Sequence, residues 1–189
     1  VPLPAQYANE KAVYDMTLAG GYLFARVETV NDVLVFDTST LELVHTVSSI
    51  APRAISSLDP AGSHVYYRRA GQGIVELALG TWEERTLGWN PNAFPGTWAW
   101  IDMQSPDFPG LSLSMTYYSG RIYVYNLQSK KSLYINESGL QGAPTRLQAV
   151  GVDSSGTVYT GGYLTPPGIS AYDPVAGTYQ LLRGGGQVE

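Results

Sequence analysis

The chain has no cysteine and only two histidines, and just 14% of its 189 residues are charged. Without thiols there is no disulfide framework, thiolate zinc site, iron–sulfur cluster or cysteine nucleophile. His45 and His64 are a poor ligand set for a transition metal, and no metal or organic cofactor is expected. Lysine and arginine total 11 against 16 acidic residues, a formal charge of −5. The positive field that tracks phosphates is missing, so neither nucleic acid nor an anionic membrane surface is an expected partner. No apolar run approaches the roughly 18 residues of a membrane span, so no membrane insertion is expected. The opening Val1-Pro2-Leu3-Pro4 is not a signal peptide, and an exported form would have lost its signal.

What the chain does have is 44% hydrophobic residues, 21 glycines, 12 prolines and 14 tyrosines. That apolar share builds a core. Helical periodicity is almost absent: apolar residues recur at spacing two, in short runs rich in valine, isoleucine, tyrosine and threonine. Ala12–Thr17, Tyr22–Val27 and Val33–Phe36 each have the length of one strand. The fold class read from these runs is all-β.

The strands repeat as a group. Segments beginning at Val33, Ile74, Ile122 and Ile169 each read as strand, polar turn, strand. Their equivalent positions Phe36, Leu77, Tyr125 and Tyr172 step by about 41, 48 and 47 residues, within the roughly 40 to 50 of propeller blades. Turn glycines Gly21, Gly62, Gly110 and Gly156 step by about 41, 48 and 46. The sequence therefore predicts a β-propeller of four four-stranded antiparallel blades, at residues 12–48, 53–87, 97–135 and 146–182, within one domain spanning 1–189. Residues 183–189 read as the start of a further blade.

The fourth repeat, with Gly161-Gly162, Ala171-Tyr172-Asp173-Pro174 and Tyr179, resembles a kelch-type repeat. The other three lack the double glycine, and none ends in Trp-Asp, so the wider resemblance is to the YVTN, PQQ-like and kelch-like propellers. This implies blades stacked radially to bury their faces. Three closures stay open: a ring of six to eight blades completed by further blades, a four-bladed ring of the hemopexin kind, or two half rings from two chains.

Propeller ligands usually meet loops on one face, which implies a cluster here of Arg26, Arg68, Arg69, Tyr67, Tyr117, Tyr118, Tyr163, Arg146 and Trp89, while His64 starts a strand after the turn Asp59–Ser63. Tyrosine and tryptophan suit sugar rings, and arginine holds a carboxylate in a fork. Several lyases that cleave uronate polymers use propeller scaffolds, and the chain looks like such a scaffold. That resemblance implies an extracellular or periplasmic protein that binds a glycan or cleaves it by elimination. Tyr67, Tyr117, Tyr118 or His64 would then take the proton, and Arg26, Arg68, Arg69, Trp89, Tyr163 and Arg146 would hold the substrate. The alternative is a non-catalytic interaction propeller, because no paired carboxylates, metal cluster, phosphate loop or Gly-x-Ser-x-Gly elbow is present. Asp37 and Asp173 occupy equivalent turns and are expected to cap them. Trp82 is expected in the core and Trp89 at the surface.

Overall fold

A computed structural model describes residues 3–10, 12–27, 30–48, 55–91, 97–117, 121–136, 146–163 and 168–184. Within these it is all-β apart from one 3₁₀ turn at Ala5–Tyr7. The first sheet joins β1 (Val13–Ala19), β2 (Tyr22–Val27), β3 (Val33–Asp37) and β4 (Leu43–Val47) in chain order. The second joins β5 (His64–Arg69), β6 (Gly73–Ala78) and β7 (Glu84–Thr86). The third holds β8 (Trp98–Asp102), β9 (Leu111–Tyr117), β10 (Arg121–Tyr125) and β11 (Ser132–Asn136). The fourth holds β12 (Arg146–Val152), β13 (Val158–Tyr163), β14 (Gly168–Asp173) and β15 (Thr178–Gly184). All neighbours are antiparallel, as short connections between adjacent strands require.

Among the described residues the second sheet has three strands, and residues 53 and 54, where the predicted second blade begins, lie outside them. Ser56 N donates to the Tyr66 carbonyl at 2.8 Å, but Tyr66 N donates to the Ser56 hydroxyl, also at 2.8 Å, instead of to a ladder carbonyl. Here a serine side chain takes the place of a backbone acceptor at the edge of β5. Arg183 and Gly184, read from sequence as entering a further blade, belong to β15, and residues 185–189 lie outside the described residues.

One turn is built four times. Asp37, Ala78, Asn126 and Asp173 each accept at their carbonyl the N–H of the residue four positions on, at 2.8, 3.0, 3.0 and 2.8 Å. Those donors, Leu41, Trp82, Lys130 and Gly177, have φ of 62°, 60°, 61° and 65°. In three turns a side chain completes the cap. Oδ1 of Asp37 accepts from the amides of Ser39 and Thr40, that of Asn126 from Gln128 and Ser129, and that of Asp173 from Val175 and Ala176. The capping expected of Asp37 and Asp173 is present. Each turn returns the chain through a left-handed residue that only glycine adopts without cost.

The chain divides into two units, residues 1–90 and 91–189. In the first, Phe24, Val33, Val35 and Val47 of the first sheet pack against Val65, Tyr67, Val75 and Leu77 of the second. In the other, Ile101, Ile122, Val124 and Ile135 of the third sheet meet Val158 and Tyr172 of the fourth. Sheets buried on both faces lose the alternation of apolar and polar residues, and Val33-Leu34-Val35-Phe36 is buried throughout. The second face of the first sheet is partly covered by the N-terminal segment, with Tyr7 packed on Ala25, Val27, Leu34 and Phe36. Tyr7 Oη also donates to Asp32 Oδ2 at 3.1 Å.

The repeated turn makes opposite predictions at two neighbouring residues. Lys130→Gly relieves a left-handed side chain at an exposed site and is expected to raise unfolding free energy by about 0.5–1 kcal/mol. Asn126 is fully buried, and its Nδ2 also donates to the Pro109 carbonyl and Ser112 Oγ at 2.9 and 3.0 Å. Asn126→Ala is therefore expected to cost roughly 2–3 kcal/mol. Urea denaturation of both variants measures the two signs.

Candidate functional site

Alternation along β5 sends Tyr67 and Arg69 to one face of the second sheet, and His64, Tyr66 and Arg68 to the other. Tyr67 is fully buried and its hydroxyl donates to Glu84 Oε1 at 2.6 Å. Arg69 closes a fork on the same carboxylate, Nη1 to Oε2 at 2.6 Å and Nη2 to Oε1 at 2.8 Å, and Nη2 donates to Tyr67 Oη at 2.9 Å. The Arg69 hydrogen bonds, with that from Tyr67, hold the Glu84 carboxyl below its ordinary range. Burial, reinforced by the bond to Glu84, pushes the Tyr67 phenol far above its own. Tyr67 is therefore a proton donor at neutral pH, held by an internal acceptor.

A similar group occupies the opposite face. Tyr66 Oη donates to Glu76 Oε2 at 3.0 Å, and Arg85 donates to Glu76 Oε1 through Nε at 2.9 Å and Nη2 at 2.8 Å. Sequence reasoning singled out the tyrosines and arginines of β5 but missed Glu76, Glu84 and Arg85. The signal was in the hairpin register, which sets Tyr66 opposite Glu76 and Glu76 opposite Arg85.

The remaining predicted residues are dispersed. His64 Nδ1 lies 2.8 Å from Ser63 Oγ and 3.3 Å from Asp59 Oδ2, on the opposite face of β5 from Tyr67. Arg26 is buried, and its Nη2 donates to Asn31 Oδ1 at 2.6 Å across the β2–β3 loop. Trp89, expected at the surface, is buried. Beyond the end of the short strand β7, Leu87 N donates to the Ile74 carbonyl and Ile74 N to the Trp89 carbonyl, so the segment lies down along β6. Gly73 allows this approach, since a Cβ there would stand 2.5 Å from the Trp89 carbonyl oxygen. Arg146 and Tyr163 are register partners on β12 and β13. Their side chains, that of Tyr117 and the whole of Tyr118 lie outside the described residues.

Trp82, on the outer hairpin, joins the core as expected. His45 of β4 stacks on it with ring centroids 4.9 Å apart and planes 5° from parallel, and Tyr22 meets its edge at 4.9 Å. Burial holds the His45 imidazole below its ordinary pKa, against the pull of Glu84.

A groove lies on the face of the first sheet that points away from the second sheet. Leu3, Val13, Met16, Leu18, Leu23 and Phe36 line a groove of about 270 Å³. Met16 and Leu18 are 69% and 71% exposed. Among the described residues no cluster of histidine, aspartate and glutamate is placed to hold a metal, and no helix is long and apolar enough to cross a membrane.

No protein-family model and no curated protein matches the chain. Solved structures do. A chain of hydrazine synthase from Kuenenia stuttgartiensis aligns with 92% of this chain at a TM-score of 0.67 and 15% identity, and a chain of a nidogen/laminin complex with 90% at 0.64 and 16%. These neighbours are propellers, and the sheets have the strand order and hairpin repeat of blades. The fold is a β-propeller. This chain spans 50% and 63% of the two matched chains, and at such identities the likeness carries the fold alone.

The propeller's first two blades make stability pH-dependent. His45 has a folded pKa below its ordinary 6.5, so the unfolded chain takes the proton first and stability falls as pH drops below that value. Glu84, lowered from 4.5, adds a second loss below that pH. Thermal melts are expected to decline in two stages between pH 7 and pH 3, with His45→Phe removing the first stage and Glu84→Gln shrinking the second, which the lowered carboxyls of Asp37 and Asp153 share.

Proposed function

We propose that this propeller is a non-catalytic interaction module, one that presents a surface to a protein partner instead of turning over a glycan. The observation that supports this reading is how Tyr67 and Arg69 are used. An eliminase would need a phenolate base and an arginine open to the uronate carboxylate. Here the phenol is buried and both groups are bound to Glu84. The groove on the first sheet is lined by aliphatic residues, of the kind that protein partners cover. An extracellular or periplasmic setting belongs to the proposal on composition alone, since a chain without thiols is indifferent to an oxidising compartment.

The test combines an assay with a melt. Uronate polymers incubated with the chain are expected to gain no absorbance from unsaturated products. Tyr67→Phe is expected to lower unfolding free energy by about 1–2 kcal/mol, because it removes a buried donor from Glu84. Unsaturated product formed by the wild type would overturn the reading, and its loss in Tyr67→Phe at an unchanged melting temperature would name Tyr67 as the base.

A further inference from the structure

We propose that the open aliphatic face of the first blade receives a second copy of this chain, which docks the outer face of its fourth blade there, head to tail. The inference deepens the interaction reading by naming the partner. It starts from positional equivalence. Phe36, Leu77 and Tyr172 each stand one residue before the residue that opens the repeated turn. Leu77 faces back onto the preceding sheet, in the core with Val35, and Tyr172 does the same with Val124. Phe36 marks the same face of the first sheet. There the N-terminal segment covers the part around Val27 and Leu34, while Met16 and Leu18 stand in the open.

The fourth blade offers the complement. On its face away from the third sheet, the register aligns Ala149 with Gly161, Gly151 with Tyr159, Gly161 with Ile169 and Tyr159 with Ala171. In the first and third sheets the residues equivalent to Ala171 are Val35 and Val124, and each packs on the following sheet. Ile169 is 43% exposed, and a Cβ added at Gly151 or Gly161 would meet nothing within 4 Å. One end of the repeat therefore projects methionine and leucine, and the other sets a small-residue hollow of Ala149, Gly151 and Gly161 beside Tyr159 and Ile169. Large against small is how facing layers interdigitate. The pairing is heterologous, and such an interface closes into a ring when its rotation allows. Two copies bring eight sheets, within the roughly four to eight blades of known rings.

Sedimentation velocity on the full chain over a range of concentrations tests the proposal. Wild type is expected to pass from monomer to dimer. Met16→Glu and Gly161→Glu alter open positions that the monomer's fold does not use, and each is expected to weaken association by more than about tenfold, since a charge buried without a partner costs well over 1.4 kcal/mol. An equimolar mixture of the two variants retains one intact interface and is expected to form heterodimers. A wild type that stays monomeric at every concentration overturns the proposal, leaving further blades as the occupant. Dissociation by Met16→Glu but not by Gly161→Glu overturns it in favour of like faces docking, and failure of the mixture to associate also contradicts it. Lyase activity in an intact dimer would instead sink the interaction reading and leave the docking standing.

Discussion

A blade of four short strands cannot stand alone, because both of its faces are apolar and both must be covered. This requirement organises the molecule. Aliphatic residues on the two faces of a strand such as β3 leave no side for water, so such a sheet needs cover on both faces. The first and second sheets satisfy each other on one side, as do the third and fourth. The loops and turns serve that stacking. The fourfold turn, with its left-handed residue and, in three of the four, a side-chain cap, returns each outer strand within a few residues.

Polar residues are subordinate to the same requirement. Two carboxylates enter the second blade, one on each face, and each is satisfied by a tyrosine and an arginine of the same blade. Buried charge is tolerable when it is paired and hydrogen-bonded, and removing one partner leaves the others costly. The groups most suggestive of chemistry in the sequence are therefore committed to each other within their own blade, around a buried Glu76 and a partly exposed Glu84.

The architecture was legible in the sequence because it rests on local, periodic signals. The steps between Phe36, Leu77, Tyr125 and Tyr172 follow the turns, and the four turn glycines all have positive φ, 82° at Gly21, 77° at Gly62, 66° at Gly110 and 88° at Gly156. Less legible was whatever depended on how a side chain met a distant one. Ser56 reads as an ordinary strand residue until its hydroxyl replaces a backbone acceptor. Trp89 sits among turn formers, and only the short β7 explains why it lies along β6. The Tyr67–Glu84–Arg69 group joins residues 17 positions apart through two hairpin registers, and single-residue motifs do not encode that. Met16 and Leu18 looked like any strand residues, since exposure of an apolar face is a property of the stacked sheets.

The three methionines provide the most direct measurement of whether that face is covered by another sheet. Met103 and Met115 are buried at 7% and 0% exposure, whereas Met16 is 69% exposed. Dilute peroxide followed by peptide mass spectrometry reads each one separately. The account predicts that in dilute protein Met16 alone oxidises quickly, and that its rate falls as concentration rises while Met103 and Met115 stay slow throughout. A Met16 that oxidises at one rate at every concentration would contradict it.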